Sequence, residues 1–251
     1  MNVLYWNVCN AANNQEIINE TKKLMESGDI EVACLQEVPY ETVVKDGKRI
    51  HVPLSDIISA DLGAESHFEH TRTVRRSKKK LSGYGTAIIS RSGFVEVGSE
   101  TIRDDALAYM TPGKDNRRVV ITATPNIAPD TQVSVAHLSY AIPLKRAKLG
   151  MKKEQEALKK ILAEKLNQGR LIFGGDLNAK PGGGVDDLLS ALHLKGIVDP
   201  LLHTFRSRHW YAGYLKRNLD RVFVSSDLKA TASVDHPRQS DHRPVIVHIE
   251  D

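Results

Sequence analysis

The chain has only two cysteines, Cys9 and Cys34, in 251 residues, too few for a disulfide framework. Both stand in apolar, strand-like runs and read as small buried hydrophobes. Neither has the paired spacing of a zinc site, and no two of the ten histidines stand four residues apart, so a zinc hydrolase lacks its usual ligands. No stretch approaches the roughly 18 consecutive apolar residues of a membrane helix. Residues 1–7 lack a basic segment followed by an apolar one, so no export signal is visible. A reducing, cytoplasmic setting without stable membrane insertion is expected. Internal repeats and low-complexity linkers are also missing, so residues 1–251 read as a single domain, expected to be monomeric. Acidic residues are missing from one place in particular. Arg72, Arg75, Arg76, Lys78, Lys79 and Lys80 follow one another without a counter-charge; setting those six aside turns the chain's net +4 into −2. The protein is thus a mildly acidic body with one basic run, either a solvated loop or a contact strip for a polyanion.

What is present is an alternation of short apolar runs with helical periodicity. Residues 3–8, 31–35, 85–90, 118–124, 132–137, 171–174, 219–224 and 244–249 read as strands. Ile17, Thr21, Leu24 and Met25 share a helical face, capped by Asn13 or Asn14 and stopped by Gly28. Leu158, Ile161, Leu162 and Leu166 mark a second helix over 145–168, and 185–194 a shorter one. Residues 40–81 read as the least regular part. Strands and helices intermix without strict βαβ alternation, which favours a layered α/β (α+β) sandwich over a barrel or a Rossmann fold.

Several apolar runs stop at a polar side chain: Trp6-Asn7, Gln36-Glu37, Ala136-His137, Gly175-Asp176-Leu177-Asn178 and Ser240-Asp241-His242. If the strand continued through Asp176-Leu177-Asn178, the two polar side chains would share a face. Asp220 sits within the run Leu219-Asp220-Arg221-Val222-Phe223, where a carboxylate is costly to bury unless paired. An imidazole, His242 or His137, is the natural partner.

These motifs, with Tyr84-Gly85-Thr86-Ala87-Ile88-Ile89-Ser90-Arg91 and Thr204-Phe205, occur in the order found in the endonuclease/exonuclease/phosphatase superfamily, which the chain resembles from Trp6 to Val247. The resemblance implies a four-layer sandwich: two mainly antiparallel sheets face to face, helices outside, and an active site at the edge where the strand ends meet. It implies Mg²⁺ or Mn²⁺ held by Glu37, with Asn7 and Asp241 beside it, since a hard cation between oxygen ligands eases attack on an anionic phosphoester. Asp176 would orient and deprotonate the attacking water, and Asn178 would hold the water or a phosphoryl oxygen. His242 would stabilise the phosphate's growing charge with its tautomer fixed by Asp220. His137 would bind phosphate or protonate the leaving group.

Cys9 stands where the exonuclease III branch usually has an acid, and His137 where it usually has Tyr, so the chain looks closer to the deoxyribonuclease I-like branch. Ala179-Lys180 and Leu219 depart from the inositol phosphatase pattern. The acid that orients the second histidine in the deoxyribonuclease I-like branch has no counterpart in 80–84. The basic run, Tyr84, and the cations and aromatics around Arg206, Arg208 and Trp210 suit phosphate contact and base stacking, so a nucleic-acid substrate, DNA or RNA, is expected. Two alternatives keep the fold: a phosphoinositide or sphingomyelin head group as substrate, with Ala141-Ile142-Pro143-Leu144 for membrane docking, or a catalytically silent nucleic-acid-binding module.

Overall fold

A computed structural model of the chain describes residues 1–8, 14–45, 48–75, 81–103, 117–139, 145–199, 201–206, 216–235 and 240–250. The first half contains β1 (Asn2–Asn7), α1 (Asn14–Ser27), β2 (Ile30–Lys45), β3 (Lys48–Pro53), α2 (Leu54–Leu62), β4 (Glu65–Arg75), β5 (Leu81–Ser90) and β6 (Phe94–Arg103). There follow β7 (Arg118–Pro125), β8 (Thr131–Ala136), α3 (Lys145–Gln168), β9 (Arg170–Asp176), α4 (Gly184–Ala191) and β10 (Leu194–Gly196). The chain closes with β11 (Phe205–Arg206), β12 (Lys216–Arg217), β13 (Asp220–Ser225), β14 (Ala230–Val234) and β15 (Val245–Ile249).

Seven strands form one sheet in the order β14-β15-β1-β2-β5-β4, with β3 on β2, and six form a second in the order β10-β13-β9-β8-β7-β6. Among the described residues, β1 with β2 and β8 with β9 run parallel; the other ladders are antiparallel.

Strand alternation explains the layers. In β1, Val3 and Tyr5 face one way and Leu4 and Trp6 the other, and all four are fully buried. Val3 and Tyr5 join Val32, Cys34, Ile88, Ile121, Val133, Ile172 and Val222 between the two sheets. Leu4 and Trp6 meet Ile17 and Met25 of α1 and Ile58 of α2 on the first sheet's outer face. On the second sheet's outer face, Leu158 and Leu162 of α3 and Leu189 of α4 cover Val120, Leu171 and Phe173. The result is the expected four-layer sandwich. Each such side chain contributes about 1.5–3 kcal/mol on burial. Tyr5 also ties the sheets together: its hydroxyl lies 3.2 Å from the Ser134 carbonyl and 3.3 Å from that of Ile172. Cys34 is a free, buried thiol whose pKa burial pushes up, as its place in an apolar run suggests; Cys9 lies outside the described residues.

Residues 40–81 depart from the irregular reading. β2 continues to Lys45, turns back as β3, and after α2 the strands β4 and β5 pair with each other as far as Arg75 and Leu81. These are hairpins of neighbouring strands, Lys45 opposite Lys48 and Arg75 opposite Leu81, and their charged sequences carry little apolar periodicity, so a local pattern does not reveal them. β6, half-exposed at the sheet's edge, escapes the sequence reading for the same reason.

Candidate active site

Five strand ends meet at one edge of the sandwich. β1 delivers Asn7 and β9 delivers Asp176, and the Asn7 amide Nδ2 donates to Asp176 Oδ2 at 3.0 Å across the gap between the sheets. Both residues are buried. Just before Asp176, Gly175 has φ 131°, and a Cβ there would lie 2.1 Å from the Ala136 carbonyl. Only glycine allows β9 to press so closely against the strand that leads into His137.

β9 ends at Asp176, so pleat alternation does not pair Asp176 with Asn178 as a continued strand would. Instead Asn178 adopts φ 48°, its backbone N–H donates to Asp176 Oδ1 at 3.0 Å, and its side-chain Nδ2 donates to the Leu138 carbonyl at 3.0 Å. This local turn fixes both carboxylate and amide. Glu37 arrives by another irregularity. Between Leu35 and Val38 the register of β2 on β5 slips by one residue, and Glu37 takes φ 54°. Such a bulge re-aims a side chain that regular alternation would direct elsewhere.

Asp220 and Asp176 are direct neighbours in the β13–β9 ladder, and both are buried. Two carboxylates so placed repel, and His242 lies between them. Its Nδ1 is 2.7 Å from Asp220 Oδ2, and its Nε2 is 3.8 Å from Asp176 Oδ2 and 4.0 Å from Asp241 Oδ1. Burial alone would keep His242 neutral, but Asp220, then Asp176 and Asp241, outweigh it and raise its pKa to about 10. Burial, reinforced by Asp220 and Glu37 and opposed by His242, raises Asp176 to about 7.

His137 has the opposite character. Its Nε2 is 3.6 Å from Asp176 Oδ2 and 3.9 Å from Glu37 Oε1. Burial, then the charges of Arg118 and His242, push its pKa well below the usual imidazole value. Among the described residues no carboxylate pairs with its other ring nitrogen, in keeping with the lack of an acid in 80–84.

Asn7, Glu37, His137, Asp176, Asn178, Asp220, Asp241 and His242 are thus linked by direct contacts at one edge. Of the substrate-contact candidates, Arg72 sits opposite Tyr84, which in turn lies opposite Pro39, two residues from Glu37. The Arg72 Nε is buried with no hydrogen-bond partner among the described residues. Arg75 and Arg206 are placed at strand ends by backbone only. Arg76, Lys78, Lys79, Lys80, Arg208, Trp210 and the segment 141–144 lie outside the described residues.

Three further residues contribute: Arg118, which the sequence does not single out, and Thr204 and Ser240, which stand in the motifs Thr204-Phe205 and Ser240-Asp241-His242. Arg118 opens β7 close enough to Glu37 and Asp176 for their charges to support its own against burial. The pair Arg117-Arg118 at the head of an apolar strand is the one signal it carries. Thr204 Oγ1 accepts from the backbone N–H groups of Leu219 (3.0 Å) and Asp220 (2.9 Å), while its carbonyl accepts from Arg243 N–H at 2.7 Å. It therefore locks the Asp220 strand to the His242 segment. Ser240 accepts from His242 N–H and donates to the Asn7 carbonyl at 2.8 Å.

A divalent cation fits this edge. Asp241 Oδ1 is buried without a hydrogen-bond partner among the described residues, and burial together with Glu37 raises the Asp241 pKa against the pull of His242. A carboxylate whose pKa is raised by burial and by a neighbouring carboxylate is a donor that a hard cation satisfies. Asp176, Asp220 and His242 also bring ligand atoms within 4.8 Å of one another. There, however, Asp220 and His242 Nδ1 are already joined by a hydrogen bond, so the Glu37–Asp241 side is the better match.

Residues 4–242 match the profile described as Endonuclease/Exonuclease/phosphatase family. No curated protein sequence matches the chain. Among solved structures, an endonuclease/exonuclease/phosphatase family protein from Leptotrichia buccalis superposes with a TM-score of 0.70 at 20% identity, covering 100% of both chains. The 3′ phosphatase NExo from Neisseria, bound to a product DNA hairpin, gives 0.67 at 19% identity over 100% of both. A mannosyl-6-phosphatase from Bacteroides thetaiotaomicron gives 0.67 at 14% identity, again over 100% of both.

Proposed function

The chain belongs to the endonuclease/exonuclease/phosphatase family, whose members are phosphoester hydrolases, and from that premise we propose that it is a Mg²⁺- or Mn²⁺-dependent phosphodiesterase acting on DNA or RNA. The observation that carries the reading is the contact chain Asp220–His242–Asp176–Asn7, which holds a cationic imidazole beside a carboxylate whose pKa is about 7. A general base is most effective when its pKa lies near the working pH, and a positive imidazole suits the charge that grows on a phosphoryl oxygen.

In this reading Glu37, Asn7 and Asp241 hold the metal, which supplies charge neutralisation at the phosphoryl group. Asp176 orients and deprotonates the water, and Asn178 holds the water or a phosphoryl oxygen. His242 stabilises the developing charge, and Asp220 keeps its Nδ1 protonated. His137, held neutral, contacts the phosphate as a hydrogen-bond donor, and would hand a proton to the leaving oxygen only once protonated. Arg118 adds a second cation at the phosphate. Arg72, Arg75, Arg76, Lys78, Lys79, Lys80, Tyr84, Arg206, Arg208 and Trp210 hold the flanking polyanion. Cys9 and His137 keep the chain nearer the deoxyribonuclease I-like branch than exonuclease III. Action as a single, monomeric cytoplasmic domain belongs to the same proposal; among the described residues, no helix is long and apolar enough to cross a membrane.

One observation favours a second reading, hydrolysis of a lipid head group: Leu201 is 81% exposed and Leu202 39%, just before Thr204. That NExo is described with product DNA supports the nucleic-acid reading instead, and the mannosyl-6-phosphatase points to small esters as a further outcome. Purified protein with Mg²⁺ should be offered labelled DNA, RNA, abasic DNA, phosphoinositide and sphingomyelin. Strand scission without release of inorganic phosphate supports the proposal. Turnover of lipid substrates alone supports the second reading, and turnover of none, with nucleic acid bound, a silent binding module.

A further inference from the structure

Behind the reaction edge, α3 places one carboxylate in the interior. Glu154 is 3% exposed, on a helix whose outer face is otherwise rich in Lys and Glu. Its Oε1 accepts from the backbone N–H of Ser139 at 2.7 Å, in a buried hydrogen bond. Its Oε2 lies 3.5 Å from Arg103 Nη1 and has no hydrogen-bond partner among the described residues. A buried carboxylate is costly unless paired, and Glu154 is paired by the Arg103 guanidinium and by the Ser139 N–H, whereas a residue that only filled space would be better apolar.

What Glu154 grips is the segment that leaves β8 through His137. Leu138 is held on the reaction side, its N–H donating to the Asp176 carbonyl at 2.9 Å and its carbonyl accepting from Asn178 Nδ2. Ser139 is held on the far side, its N–H by Glu154 and its hydroxyl by Arg118 Nε at 3.5 Å. His137 itself, which lacks a carboxylate on its second nitrogen among the described residues, has its backbone fixed by these flanking anchors. Of the carboxylates that support the Arg118 charge against burial, Glu154 is foremost, ahead of Glu37 and Asp176.

We infer that Glu154 is a positioning residue: through Ser139 it sets the His137 segment against Asp176. This inference rests on the phosphoesterase reading. It assigns the task done for His242 by Asp220 to a carboxylate on another element, acting on His137 through the backbone instead of the ring.

The test compares Glu154→Ala and Glu154→Gln, after circular dichroism has verified their fold, on whichever labelled DNA or RNA oligonucleotide the wild type cleaves with Mg²⁺. Displacement of a reacting group by an ångström can lower turnover about 10²-fold, and a loss of that order in kcat with little change in KM is expected for Glu154→Ala. Glu154→Gln, whose amide oxygen still accepts from Ser139, should restore kcat to within about tenfold of wild type. In a His137→Ala background, Glu154→Ala should add little further loss, because residues acting through one another are not additive. In the metal-free protein, Glu154→Ala should move the imidazole NMR signals of His137 and leave those of His242 in place. Wild-type kcat in folded Glu154→Ala, losses that multiply in the double variant, or unmoved His137 signals each overturn the inference. A wild type that cleaves no phosphoester overturns the functional reading instead, and the NMR comparison still judges the placement of His137.

Discussion

The two histidine corners of the site are built from the same residue type and held in opposite states. His242 has Asp220 2.7 Å from Nδ1 and a pKa of about 10. His137, with neighbouring charges of both signs and no such partner among the described residues, is pushed well below the ordinary imidazole value. Both are largely buried, so burial alone does not separate them; the position of one carboxylate does. Asp220 in turn is fixed by Thr204 at both its own N–H and that of Leu219. The charged corner is set by side-chain pairing and the neutral corner by backbone placement and nearby cations, a division suited to one group that stabilises negative charge and another that donates a hydrogen bond.

Breaking the charged corner should have the largest effect. Asp220→Asn keeps the shape but removes the charge that holds Nδ1 protonated. A loss of about 10⁴-fold in kcat is expected, as for loss of the orienting acid in other carboxylate–imidazole pairs. NMR titration should find the His242 pKa lowered. A His242 that still titrates near 10 would mean that Asp176 and Asp241 suffice. The neutral corner should be less sensitive, with His137→Ala costing about 10²-fold in steady-state kcat. Equal losses at the two corners would erase the distinction.

Their pH signatures should also diverge in the metal-free protein. His242 has a folded pKa above its unfolded value, so its contribution to stability is complete below about 6.5 and is lost as pH rises toward about 10. His137 has a folded pKa below its unfolded value, so its contribution is present above about 6.5 and is lost as pH falls. Thermal melts across pH should therefore flatten on the alkaline side in His242→Ala and on the acid side in His137→Ala. The smallest effect on chemistry is expected at the periphery. Replacing Arg75, Arg76, Lys78, Lys79 and Lys80 by Ala should raise KM for nucleic acid and make its salt dependence shallower, by about 0.9 in the log–log slope for each phosphate no longer neutralised, with kcat unchanged. An unaltered KM and salt slope would make the basic run an ordinary solvated loop.

Much of the charged corner is legible in the sequence because it is built from short contiguous signals. Asp220 inside an apolar strand demands a partner, and Ser240-Asp241-His242 offers one just before another strand. The neutral corner is less legible. Glu37 reaches the site through a bulge and Asn178 through a turn at φ 48°, neither of which follows from strand periodicity. Arg118 and Glu154 act from β7 and α3, elements that meet His137 only in three dimensions. α3 has strong helical spacing and emerges at 145–168 as read, whereas β2 beyond Tyr40, β3, β4 and β6 are hairpin or edge strands whose charged sequences carry little apolar pattern.

In the proposed function this edge hydrolyses phosphodiesters with a bound divalent metal and Asp176 as base. This activity is tested most directly by incubating wild type and Asp176→Asn with labelled DNA and RNA, in Mg²⁺ and in EDTA. Wild type should cleave in Mg²⁺ and be silent in EDTA, and folded Asp176→Asn should lose activity by about 10³-fold or more. Cleavage that persists in EDTA, or an Asp176→Asn variant as active as wild type, would contradict the account.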